Sequence, residues 1–168
     1  LLNCLSKDTT RKSLCYAWQE GEKQVVCNGY LAVSLNHPAP FLPVLPDDVP
    51  KGNLNVPQMI EDSKRGITEW IKASKIKEDV VGILAENAAK KKQVGAKYFK
   101  KIPVEIMTKE GVHIGVDAEF IDNTINALGG YDVCTIGWPQ NPRNMIYVGS
   151  EMGEAIVCPV MLEKKEED

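Results

Sequence analysis

Histidine is scarce in this chain: His37 and His113 are the only two among 168 residues. Neither has ligand spacing to a cysteine, so a zinc site is not expected. No Cys-x-x-Cys occurs, and the five cysteines (Cys4, Cys15, Cys27, Cys134 and Cys158) are an odd number set in apolar runs. That usage fits buried, inert thiols in a reducing, cytoplasmic compartment. P-loop, Gly-x-Ser-x-Gly and His-Glu-x-x-His patterns are all missing. His113 lies between apolar neighbours and reads as structural, and His37 as a loop residue. Cys27 would need a base to act as a nucleophile, and nothing in the sequence places one beside it. We therefore expect no enzyme, no cofactor and no metal.

Long hydrophobic runs are also lacking. None approaches the ~20 residues that cross a bilayer, and Leu1–Leu5 is too short and uncharged for a secretory signal. The chain opens directly in an apolar, helix-like pattern, as though a strand preceded it. Charge of one sign is not in excess: the net charge is -3, so no global field draws the molecule to nucleic acid or membrane. Any basic site must be local.

What is present suits one α+β domain over 1–168, with 43% hydrophobic and 26% charged residues. Leu1, Leu2, Leu5 and Leu14 predict a short helix over 1–14, with Lys7, Arg11 and Lys12 on its polar side. Three strand-like pieces follow over 14–35, and Asn28-Gly29 marks a tight turn between the last two. Six prolines between 36 and 57 exclude a helix or a central strand and predict an extended connection, with an edge segment near Phe41–Leu45. Residues 58–100 predict a helical insertion of two or three helices, interrupted at Gly66, Gly82 and Gly95. From Ile102 the pattern is β again. Asp117 predicts an N-cap. Phe120, Ile121, Ile125 and Leu128 mark one face of the next helix, which Gly129-Gly130 ends. Three strands then precede a charged tail at 163–168. Helix plus three strands thus occurs twice, at 1–35 and 117–162, as an internal repeat of pattern.

Two stretches carry a resemblance to one domain of a DNA sliding clamp, in the manner of the beta subunit of bacterial DNA polymerase III. The first runs from Ser6-Lys7-Asp8-Thr9-Thr10-Arg11 to Val25-Val26-Cys27-Asn28-Gly29-Tyr30-Leu31-Ala32. It is similar to the family's helix, strand and threonine-aspartate-glycine-x-arginine-leucine-alanine turn, with Cys27-Asn28-Gly29 in place of the threonine-aspartate-glycine and Tyr30, or no residue, where the family has arginine. The second runs from Phe120-Ile121 to Leu162, where Cys158-Pro159-Val160-Met161-Leu162 stands for the family's methionine-proline-x-arginine-leucine ending.

The resemblance implies two strand-helix-strand-strand-strand repeats with antiparallel sheets, and a helical insertion at about 58–100 without a counterpart. It implies a role on duplex DNA, with polymerase or other replication proteins as partners and self-association into a ring. It also implies an apolar peptide site at Pro159, Val160, Met161 and Leu162, a run that an ordinary edge strand explains equally well. Lys7, Arg11 and Lys12 fit DNA contacts, but the second helix offers Asp117, Glu119 and Asp122, and an acidic helix repels phosphate. The most basic stretch is Lys90, Lys91, Lys92, Lys97, Lys100 and Lys101, with Tyr98 and Phe99 among them. Such interleaving can track a nucleic-acid backbone and stack bases; a solvated helix end accounts for the lysines as well. The alternative function is an adaptor for protein partners that does not encircle DNA.

Overall fold

A computed structural model describes residues 1–163. Most of the expected charged tail, 164–168, lies outside the described residues. The strands come first: β1 (Trp18–Glu20), β2 (Lys23–Cys27) and β3 (Leu31–Leu35). α1 (Val56–Arg65), β4 (Ile67–Lys72) and α2 (Lys77–Val94) follow. Then come β5 (Val104–Met107), β6 (His113–Val116) and α3 (Ala118–Ala127). The chain ends in β7 (Thr135–Pro139), β8 (Ile146–Ser150), β9 (Gly153–Val157) and β10 (Pro159–Val160).

The α+β class and the antiparallel sheets are as expected. A seven-stranded sheet has the order β1-β2-β3-β9-β8-β7-β4, and a three-stranded sheet has the order β10-β6-β5. Within the large sheet, β1-β2-β3 and β7-β8-β9 are two meanders joined where their third strands pair antiparallel, Leu31 opposite Val157 and Leu35 opposite Gly153. The order reads alike from either side of that seam, so the strand part of the repeat is real.

The helical part is not repeated. Residues 1–15 form two 3-10 turns, Leu2–Cys4 and Lys12–Cys15, rather than the expected helix. Between Leu5 and Leu14 no apolar residue continues the stripe, and the short polar residues there favour local turns: the Asp8 carboxylate accepts from the Thr10 amide and hydroxyl. The second copy does form strand, helix and three strands, as β6, α3, β7, β8 and β9.

The insertion also departs from expectation. It holds two α-helices, but Ile67–Lys72 between them is a strand that extends the large sheet along β7. Ile67, Trp70 and Ile71 sit at spacings that suit a helix, yet their side chains alternate in burial as a strand's do. Ile67 lies over Gly137 of β7, where a Cβ would come within 2.5 Å of its Cδ1. Among the residues of α2 only Val80 is buried.

Alternation along the strands splits the core in two. Val26, Leu31, Val33, Ile146, Val148, Ala155 and Val157 face α3 and α2. Val25, Cys27, Ala32, Tyr147 and Ile156 face α1 and the segment around Leu14 and Leu45. The proline-rich segment runs extended along the entry to β1, with the Ala17 amide donating to Pro43 O and the Leu45 amide to Ala17 O. No described helix is long and apolar enough to cross a membrane.

Candidate nucleic-acid interface

Two local structures build the site. At the β2–β3 turn the Asn28 side-chain oxygen accepts from the amides of Tyr30 (2.8 Å) and Leu31 (3.0 Å). Gly29 takes φ 92, a region closed to most side chains. This turn holds the Tyr30 ring at the surface, 51% exposed. At the start of α3 the Asp117 carboxylate accepts from the amides of Glu119 (2.9 Å) and Phe120 (3.2 Å), the expected N-cap. Ile121, Ile125 and Leu128 are fully buried, so the base of Phe120 is fixed while its own ring is only half-buried.

The two rings meet. Tyr30 and Phe120 stack with centroids 5.2 Å apart and planes within 12°, in the range of favourable aromatic pairs. The Lys101 ammonium lies 5.4 Å from the Phe120 centroid and bonds to Asp117 (3.1 Å) and Glu119 (3.0 Å). Partial burial lowers the lysine's pKa, but these two carboxylates outweigh it and the net shift is upward. Lys101 offsets one of the two carboxylates at the start of α3, which remains net negative. Beside the rings opens a cavity of about 230 Å³, lined by Lys7, Arg11, Asn28, Tyr30, Phe120 and Asn123 among others. Arg11 donates from Nε to Asp8 (3.1 Å) and rests against Gly29.

Lys7 and Arg11 therefore line the cavity beside the two aromatic rings, while Lys101 lies over the Phe120 ring and does not line it. Lys12 is exposed but does not line the cavity. The other lysines of the insertion do not form one patch. Lys90 pairs with Glu86 on α2 (3.0 Å), and Lys100 pairs with Glu163. Lys97 lies over Tyr98, its ammonium 5.5 Å from the ring centroid. Lys91 and Lys92 are exposed and make no ion pair among the described residues. Tyr30 was the residue missed in sequence. Its one signal is its place at the tip of the Asn28-Gly29 turn, where a large ring has no strand neighbour to cover it. Phe120 lies on the expected helix face, at its half-buried rim.

The peptide-site residues go elsewhere. Pro159 and Val160 pair with Val116 and Gly115 of β6, Leu162 packs on Gly115, and Met161 is 63% exposed. An apolar cavity of about 50 Å³ lies one residue upstream, lined by Cys27, Ala32, Met59, Met145, Ile156 and Cys158 among others, and by none of those four. Burial raises the pKa of both thiols there, keeping them protonated and unreactive. His113 proves exposed rather than packed. Among the described residues, no three His, Cys, Asp or Glu side chains converge as a metal site would require. No protein family matches the chain, and no curated protein or solved structure matches it.

Proposed function

We propose that this chain is a sliding-clamp-like, DNA-associated factor that holds the duplex backbone without reading its sequence and carries out no catalysis. The observation that carries this reading is the placing of Lys7 and Arg11 in the cavity beside the Tyr30–Phe120 stack. Cations on flexible stems release condensed counterions from phosphate, and such contacts are sequence-independent and salt-sensitive. Support also comes from the two back-to-back meanders, which fit the doubled strand pattern of a clamp domain. Closure around DNA would then require several copies, in association with polymerase or other replication proteins.

The test is fluorescence anisotropy with a labelled duplex across a salt series, followed by light scattering on nicked circular and linearised DNA. Binding that weakens steeply with salt, that falls when Lys7 and Arg11 are changed to glutamate, and that is retained on circles but lost on linear DNA is expected. No duplex binding even at low salt would overturn the reading.

A second reading, an adaptor that binds partner peptides and does not encircle DNA, is favoured by the apolar cavity beside Cys158. Met59 and Met145 border it, and methionine suits a surface that adapts to varied apolar side chains. Added N-acetyl-leucinamide should shift the Met59 and Met145 methyl resonances. Unmoved methyls would remove this reading.

A further inference from the structure

We infer that the cavity beside the Tyr30–Phe120 stack receives one unpaired base of single-stranded nucleic acid. This rests on the proposed DNA-associated role and specifies it: the cations hold the backbone, and the cavity holds a base that a duplex cannot offer. Bases inside a duplex are covered on both faces by their neighbours, whereas an unpaired base has a free ring face to stack on an aromatic side chain.

The site is preformed for that use. Tyr30 is held by the Asn28 turn and Phe120 by the capped first turn of α3, so neither backbone must be ordered on binding. Tyr30 leaves half its surface exposed, and exposed aromatic area beside cations is what a stacking platform requires. At about 230 Å³ and open to solvent, the cavity has room for a base ring, with the rest of the strand left outside it.

Polar groups complete it. The side-chain nitrogens of Asn28 and Asn123, both at the cavity, make no hydrogen bond among the described residues. They can donate to base carbonyls. Arg11 commits its Nε to Asp8, which leaves its terminal nitrogens for a phosphate oxygen. The two carboxylates of the lining are already engaged, Asp8 with Arg11 and Glu119 with Lys101.

The experiment uses an oligothymidine strand carrying one 2-aminopurine, whose fluorescence is quenched on stacking, and in parallel a labelled duplex. Saturable quenching by the native chain is expected. Tyr30→Ala should abolish it and weaken single-strand affinity by about tenfold, within the range of one base–aromatic stack, a larger loss than the same change causes on duplex. Tyr30→Phe, which keeps the ring, should retain both. Phe120→Leu keeps apolar contact with the core and provides a second loss-of-ring variant should Tyr30→Ala misfold by circular dichroism. Single-strand binding insensitive to Tyr30 and Phe120, or a loss shared equally by duplex, would overturn the inference while leaving the duplex reading in place. Tyr30-dependent single-strand binding without duplex binding would do the reverse. Absence of binding to either form would overturn both.

Discussion

α1 and α3 are each ten residues long and lie on opposite faces of the same large sheet, yet they are fixed to it very differently. α3 buries Ala118, Ile121, Thr124, Ile125 and Ala127, and its cap accepts two amide hydrogen bonds. α1 buries Val56, Ile60 and Ser63, and the Asn55 cap accepts one. The difference separates two kinds of surface. The tightly held helix fixes Phe120, on which Tyr30 stacks and over which Lys101 lies. The more loosely held one leaves an apolar cavity at its edge, beside Met59, where the packing can adjust.

The largest expected effect comes from the core beneath each helix. Ile125→Ala should cost ~2–5 kcal/mol, the range for buried large-to-small changes. Ile60→Ala should fall at the lower end, because its surroundings are freer to close around the loss. Urea denaturation of the two variants measures this, and an equal or larger cost at Ile60 would break the comparison. Next in size are the caps. Asp117→Ala should cost about 1 kcal/mol, and Asn55→Ala less, as read by thermal unfolding.

Acid should sharpen the contrast. Burial raises the Glu154 pKa, but hydrogen bonds from Lys64 and Tyr147 outweigh it and the carboxyl ends below its ordinary value. Its folded pKa thus lies under its unfolded one. The stabilisation is complete above the unfolded value and is lost as pH falls through the folded value. Glu154 faces α1, where it pairs with Lys64. Urea midpoints taken from neutral to acid pH should decline, and Glu154→Gln should flatten that decline. The smallest effect is expected at Glu86→Gln, which removes an exposed pair with Lys90 on α2 and should change stability by no more than about 0.5 kcal/mol.

Much of the strand framework was legible because its signals are local. The Asn28-Gly29 turn, the Asp117 cap, the Gly129-Gly130 stop and the extended proline segment each act within a few residues, and each is found where expected. Two failures share a different cause. The leucines of residues 1–14 satisfy a helical stripe only if the polar gap between Leu5 and Leu14 is ignored. Ile67, Trp70 and Ile71 satisfy either period, and pairing with β7 decides between them, which no local pattern reports. The candidate site was legible only in part. Lys7 and Arg11 were named from the polar side of an expected helix and Lys101 from a lysine-rich stretch, but the cavity that Lys7 and Arg11 line depends on Tyr30 and Phe120 meeting across the fold. The pairing of Lys100 with Glu163 and of Lys101 with Asp117 and Glu119 was equally hidden.

Gly137 has a consequence for how the insertion joins the sheet. It is the only residue of β7 without a side chain, and Ile67 fills the space above it. Backbone hydrogen bonding alone would accept β4 shifted along β7 by two residues, since the ladder repeats at that interval. The isoleucine and the bare glycine work instead as key and keyway. Any slip would lodge Ile67 against a residue that has a side chain, so shape, and not the ladder, selects the one alignment that sets Trp70 beside Tyr147.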